Sequence, residues 1–293
     1  LWFSEVESFN NLIIGTDEDD NLSGTALNDT IDAQAGNDTV YGGDGNDTIY
    51  AGKGDDFIYG EGGDDVLTQN QAGYQYWDGG AGNDTYIVDL PRYIGSTFDT
   101  DLPFVFEINL ETGVAGQLGN DLNQDTLINI ENIEFKGILN AQITGNDLDN
   151  ILIGGSGDDV IYGGDGDDVI YGGDGADTIT TGLGSDLIVL RAGDSSSSLE
   201  TTDRITDFED GSDLIGLAGV NYYDFTIAQG TDSYVSHTIL SISGNYVGIL
   251  ENTIASNINE DDFIMSSYMS GTLVKGTVVG ARVFQDLDGD GKY

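Results

Sequence analysis

The sequence predicts an all-β fold: a right-handed parallel β-roll of nonapeptide repeats, closed by a C-terminal β-cap. Three observations lead there. Two stretches repeat with a period of nine residues, one position in each period is always aliphatic, and 53 Asp and Glu stand against 8 Lys and Arg, a formal charge of −45. With 44 Gly, 2 Pro and 10% aromatic residues in 293, the chain is rich in reversals yet has material for a core, unlike generic disorder. The acidic excess excludes nucleic acid as a partner and makes anionic membrane surfaces poor ones, because both need basic side chains. Cations are the natural counterpart. There is no cysteine, hence no disulfide, thiolate zinc site or cysteine nucleophile. No stretch approaches the ~18–20 apolar residues of a membrane helix, and Leu1 is not followed by a basic and then apolar leader, so we expect a soluble fragment of a longer protein.

The first array runs without a gap from Gly15 to Thr68 as GTDEDDNLS, GTALNDTID, AQAGNDTVY, GGDGNDTIY, AGKGDDFIY and GEGGDDVLT. The second runs from Gly145 to Val189 as GNDLDNILI, GGSGDDVIY, GGDGDDVIY, GGDGADTIT and TGLGSDLIV, and an isolated copy, GGAGNDTYI, occupies Gly79 to Ile87. Position 8 is aliphatic throughout the arrays: Leu22, Ile31, Val40, Ile49, Ile58 and Leu67, then Leu152, Ile161, Ile170, Ile179 and Ile188. Flanked by Thr, Val, Phe or Tyr, it reads as the inward residue of a three-residue strand. Positions 1 to 6, with glycines and an Asp or Asn at position 6, read as a tight turn. Two repeats make one 18-residue coil, and stacked coils place strands about 4.8 Å apart in two parallel sheets. One aliphatic layer from each sheet is a thin core, too thin to offset the ordering of so much glycine-rich backbone.

This pattern resembles the RTX (repeat-in-toxin, haemolysin-type) repeat, whose form GGxGxDxUx binds calcium. The resemblance implies secretion or display at the cell surface, typically by a type I route. The residues carry a physical reason of their own. In an 18-residue coil, position 6 of one repeat stacks on position 6 two repeats later. That pairs Asp20 with Asp38, Asp29 with Asp47, Asp38 with Asp56, and Asp47 with Asp65; in the second array it pairs Asn150 with Asp168, Asp159 with Asp177, and Asp168 with Asp186. The ten residues Gln69 to Asp78 read as one overlong half-coil, which sets Asp84 beneath Asp65 as a further pair. Bare, these pairs would repel. With backbone carbonyls alongside, each makes an all-oxygen cage suited to calcium, which takes 6–8 oxygens in flexible geometry, better than to octahedral magnesium or to zinc. We expect about seven or eight calcium ions in the rolls, with Asp38 and Asp47 each serving two cages. Tyr41, Tyr50, Tyr59, Tyr162 and Tyr171 at position 9 should face outward, either as a ligand-binding ladder or simply as strand formers that stack across the sheet.

Around the arrays the sequence divides into a first roll with a preceding partial coil (1–87), a β-rich connector (88–144), the second roll (145–189), a capping segment (190–265), and a linker with the start of a further calcium-binding domain (266–293). Connector segments such as INLETG and DTLINIENIEF resemble those between RTX arrays, which implies that the solenoid continues through them; an independent small β-domain is the alternative. TTDRITDFEDGSDLIGL resembles the segment that closes many RTX rolls, with Asp203, Asp207 and Asp213 as extra ligands, and HTILSIS, NYVGILEN and DDFIM would complete the cap. The tail ends in DLDGDGKY, where Asp286, Asp288 and Asp290 match the opening of an EF-type loop and resemble dockerins and B-type Ig-like repeats of surface adhesins.

No HExxH, GxSxG or Walker motif is present. His237 is the single histidine, in an alternating strand-like segment, and the repeat phase assigns the paired carboxylates to metal before glycoside hydrolysis. The chain therefore reads as non-catalytic: a calcium-stiffened structural and adhesive module of a large secreted, surface-layer (S-layer) or cell-surface protein, folding after export, whose further partners would be a surface glycan or neighbouring domains. The alternative is the non-catalytic C-terminal module of a secreted hydrolase, lyase or epimerase.

Overall fold

The computed structural model describes residues 11–71, 73–89, 105–118, 124–218 and 222–265. The chain forms two compact units, Leu1–Gly145 and Asn146–Tyr293. Among the described residues no helix is long and apolar enough to cross a membrane. Asp286, Asp288 and Asp290 lie outside the described residues.

In the first unit successive short strands alternate between two sheets. One takes β1 (Asn11–Ile14), β3 (Asp29–Asp32), β5 (Thr48–Tyr50), β7 (Val66–Gln69), β9 (Thr85–Val88) and β13 (Asn132–Phe135), all parallel. The other takes β2 (Asn21–Ser23), β4 (Thr39–Asp44), β6 (Phe57–Gly62), β8 (Tyr76–Asp78) and β12 (Gln124–Ile128) in parallel, then β11 (Val114–Gln117), β10 (Val105–Asn109) and β14 (Asn140–Thr144). The coil length is written in the register: Ile31 faces Ile49 and Val40 faces Ile58. Across the overlong half-coil the offset becomes 19, with Ile58 opposite Trp77 and Leu67 opposite Tyr86. Position 8 fills the interior, and Ile31, Val40, Ile49, Ile58, Leu67, Trp77 and Tyr86 are all fully buried.

DTLINIENIEF is a further coil, since Leu127 pairs with Trp77 and Ile133 with Tyr86. The segment before it is not. Val105–Asn109 and Val114–Gln117 form an antiparallel hairpin let into the second sheet between β12 and β14. Its turn is local: Thr112 N–H donates to Asn109 Oδ1 at 2.9 Å, and Gly113 takes φ 70, the left-handed conformation glycine adopts freely.

The second unit repeats the plan. One sheet runs β15 (Ile151–Ile153), β17 (Val169–Tyr171), β19 (Leu187–Arg191), β21 (Leu214–Ala218) and β25 (Phe263–Met265), with parallel pairing throughout. The other runs β16 (Val160–Asp165), β18 (Thr178–Leu183) and β20 (Arg204–Ile205), and ends in β24 (Asn245–Leu250), β23 (Thr238–Ile242) and β22 (Phe225–Gln229). The antiparallel meander β22–β23–β24 ends the parallel sheet with strands of a different direction.

Position 9 is not uniformly outward. Tyr41 and Tyr59 stack on the outer face with centroids 5.1 Å apart. Tyr171, expected outside, is 6% exposed. Residues beyond the repeat cover it: its hydroxyl donates to Asp194 Oδ2 at 3.0 Å and accepts from Arg191 at 2.9 Å.

Candidate metal columns

The turns bring every expected position-6 pair together, by a bond the sequence does not announce. The backbone N–H of Asp20, Asp29, Asp38, Asp47 and Asp65 donates to Oδ1 of Asp38, Asp47, Asp56, Asp65 and Asp84 respectively, at 2.7 to 2.9 Å. In the second unit Asn150, Asp159 and Asp168 donate likewise to Asp168, Asp177 and Asp186, at 2.8 to 2.9 Å. One carboxylate oxygen therefore ties its coil to the coil before.

The other oxygen is different. Oδ2 of Asp38, Asp47, Asp56, Asp65, Asp84, Asp168, Asp177 and Asp186 is buried with no hydrogen-bond partner. A buried carboxylate oxygen without a donor is costly, and eight in register make a set of acceptors that a cation would satisfy. The space beside them is kept by glycine. A Cβ added at Gly42 would lie 2.5 Å from Asp47 Oδ2 and 2.6 Å from the Gly60 carbonyl oxygen of the next coil. Position 1 thus brings a carboxylate oxygen and a carbonyl oxygen to one small gap, and the same arrangement recurs at Gly60 with Asp65 and Gly79, and at Gly163 with Asp168 and Thr181. Among the described residues no three Asp, Glu, His or Cys side chains form a metal-binding group, so a cation here would draw on backbone carbonyls as well as carboxylate. That oxygen-only set fits a hard ion of flexible coordination.

Burial pushes these acids up. Asp47, Asp56, Asp84, Asp177 and Asp186 rise to about 6, Asp65 to about 7 and Asp168 to about 8, desolvation leading in each and the backbone N–H bond opposing it. Neighbouring acids add to the rise: Asp84 and Asp47 at Asp65, Asp186 at Asp168.

The columns begin differently. Asp20 Oδ2 accepts from the Thr16 N–H at 2.6 Å and its hydroxyl at 2.9 Å, and Asp29 Oδ2 accepts the same pair from Thr25 at 2.5 and 2.9 Å. Asp29 keeps its Oδ1 unpartnered. At the head of the second array Asn146 N–H donates to Asn150 Oδ1 at 2.8 Å. A Thr or Asn at position 2 thus closes its own turn.

The columns also run further than the repeats. Gln75 N–H donates to Asp125 Oδ1 at 2.9 Å and Asp84 N–H to Glu131 Oε2 at 2.8 Å. Asp177 and Asp186 donate to Asp203 and Asp213, at 3.1 and 3.2 Å. Of the cap acids, Asp207 takes the Thr181 and Gly182 N–H groups at 2.9 and 3.1 Å, while Asp213 takes Glu209 N–H at 2.8 Å besides that of Asp186. Both anchor the last coil through protein donors. Asp125-Thr126-Leu127 repeats the Asp-Thr-aliphatic signature of Asp47-Thr48-Ile49, the one signal by which the sequence could have placed Asp125. An outer ladder was also missed. At position 5, Asp19, Asn37 and Asp55 accept from the N–H of Asn37, Asp55 and Tyr74 at 2.8 to 3.0 Å, opposite in direction to the inner columns.

A family model for the RTX calcium-binding nonapeptide repeat matches the chain in four copies, at residues 14–49, 41–68, 144–179 and 164–195. Among solved structures, the AlgE6R3 subunit of the Azotobacter vinelandii mannuronan C5-epimerase is 25% identical, with 50% of this chain and 89% of that chain covered and a TM-score of 0.36. The AlgE6R2 subunit of the same enzyme is 26% identical, over 43% and 92%, with a TM-score of 0.31. The extracellular lipase LipA from Serratia marcescens is 16% identical over 89% of this chain and 41% of its own, with a TM-score of 0.31. A comparison with curated protein sequences gives no match.

Proposed function

Because the chain carries RTX calcium-binding nonapeptide repeats in a parallel β-roll, we propose that it is a calcium-dependent structural module of an exported protein. The ligands are the inner columns: Asp38, Asp47, Asp56, Asp65 and Asp84, and Asp159, Asp168, Asp177 and Asp186, with position-1 carbonyls completing each cage. Asp20, Asp29 and Asn150 head the columns. The observation that carries the reading is the run of buried, partnerless Oδ2 atoms in register. Without an ion each is a desolvated charge beside others of its sign, so the metal-free roll opposes its own folding. Extracellular calcium modules bind at about 10⁻⁴ to 10⁻³ M, so such a chain stays open in a low-calcium cytosol and closes outside.

The role is structural rather than catalytic. His237, the histidine a hydrolytic triad would require, has Nδ1 accepting the Asn252 N–H at 3.0 Å. Adhesion to a surface glycan or a neighbouring domain is the finer form of the proposal, favoured by the outward ladder of Tyr41, Tyr59 and Tyr76. Circular dichroism of the metal-free chain, before and after millimolar calcium, tests the core of it. A large gain in β signal is expected; equal β content in chelator and in calcium would reject the reading.

A further inference from the structure

One rung of the first unit breaks the pattern of the others. Tyr76 pairs with Phe57 and Trp77 with Ile58, so Gln75 stands at position 6, directly after Asp56 in its column. Its main chain behaves as the column requires, donating to Asp125 Oδ1. Its side chain does not. Gln75 Nε2 donates to the Gly54 carbonyl at 3.1 Å, and Gln75 Oε1 accepts from Gln69 Nε2 at 3.1 Å. Gln69 Oε1 accepts from the Tyr86 hydroxyl at 2.7 Å, and that hydroxyl lies 3.1 Å from Asp125 Oδ2. Gln69, Gln75, Tyr86 and Asp125 are all buried.

The direction of this chain is not a free choice. Gly54 O can only accept, so Gln75 must turn its NH₂ toward it; its oxygen then faces Gln69 NH₂, and the Gln69 oxygen faces the tyrosine hydroxyl. An amide NH₂ has no lone pair to give a metal, and here it puts partial positive charge into the turn of the Asp56 coil, against the Gly54 carbonyl. Asp125 Oδ2 has the tyrosine as its neighbour, where Asp38 has an oxygen with no partner.

We propose that Gln75 takes the place of an ion: its amide, held by Gln69, Tyr86 and Asp125, closes this rung without calcium. This rests on the reading that the inner columns hold calcium. It makes the rung an interruption in the metal column, so the coils carrying Asp38 and Asp56 load separately from whatever lies beyond it. The polarity explains why Gln is used and Asp is not. A second carboxylate beside Asp125 would restore the like-charge pair that elsewhere demands a cation.

Native mass spectrometry of the calcium-saturated full chain tests this by counting ions in wild type, Gln75→Asp and Gln75→Ala. Gln75→Asp should bind one more ion than wild type. Gln75→Ala should keep the wild-type count and melt at a lower temperature. Loss of an ion in Gln75→Ala would mean that the amide oxygen is a ligand, and overturns the proposal even if Gln75→Asp fails to fold. A folded Gln75→Asp with no added ion overturns it too. A wild-type chain that binds no calcium instead overturns the reading beneath it.

Discussion

Replacing Asp38 by Ala should cost far more than replacing Asp20, although both occupy position 6 of the same column. Asp38 supplies a partnerless Oδ2 and also accepts the Asp20 N–H at 2.8 Å. With Oδ1 spent on that bond, Asp38 has one oxygen for a cation and serves one cage, not the two its stacking suggests, so removing it takes away one ion, worth ~2.7 kcal/mol when calcium is at a hundredfold excess over its dissociation constant. It also removes a hydrogen bond to a charged acceptor, worth ~1.5–3 kcal/mol. The sum is ~4–6 kcal/mol in saturating calcium. Asp20 Oδ2 is already taken by Thr16, so Asp20→Ala should lose only a turn-closing bond of ~1 kcal/mol and no ion. Equilibrium dialysis gives the ion count, and guanidinium midpoints at fixed free calcium give the stability. Equal ion loss in the two variants would refute the assignment of separate jobs to the two carboxylate oxygens.

Acid should substitute partly for calcium. The column acids have folded-state values raised to about 6, 7 and 8 at Asp47, Asp65 and Asp168, so folding favours their protonated form; the metal-free roll is then most stable below the unfolded value of ~4 and loses that stability as pH rises through ~6–8. Circular dichroism of metal-free chain between pH 4 and 8 should show β structure fading upward, and a rise with pH would contradict it. Gly42→Ala should remove one ion, because its Cβ would enter the gap between Asp47 Oδ2 and Gly60 O; an unchanged count by mass spectrometry would show that no ion sits there. Asn37→Ala, on the outer ladder, should cost ~0.5–1.5 kcal/mol with the ion count intact, measured by the same guanidinium midpoints.

The period of nine and the aliphatic position 8 carried most of the roll, because a solenoid writes its geometry into every repeat: Ile31 over Ile49 follows from counting alone. Counting also carried Asp84 across the overlong half-coil, since one inserted residue shifts the register without destroying it. It failed where chemistry replaced periodicity. Gln75 keeps the turn glycine, Gly73, but has an amide where the repeat has a carboxylate, and Asp125 has Asn123 where that glycine would stand; the hairpin of Val105–Gln117 separates the two in sequence while the roll stacks them in space. The closing role of Thr16 and Thr25 was hidden because position 2 was read for its glycine rather than for its donors. Tyr171 was misplaced for a tertiary reason: Asp194 and Arg191, outside the repeat, fold over it.

A crystal grown in calcium and measured for anomalous scattering would locate the ions themselves. Peaks are expected beside Oδ2 of Asp38, Asp47, Asp56, Asp65, Asp84, Asp168, Asp177 and Asp186. None is expected at the Gln75 amide. Peaks confined to the outer ladder of Asp19, Asn37 and Asp55, or a fully folded roll with no calcium peak in the inner columns, would contradict this assignment.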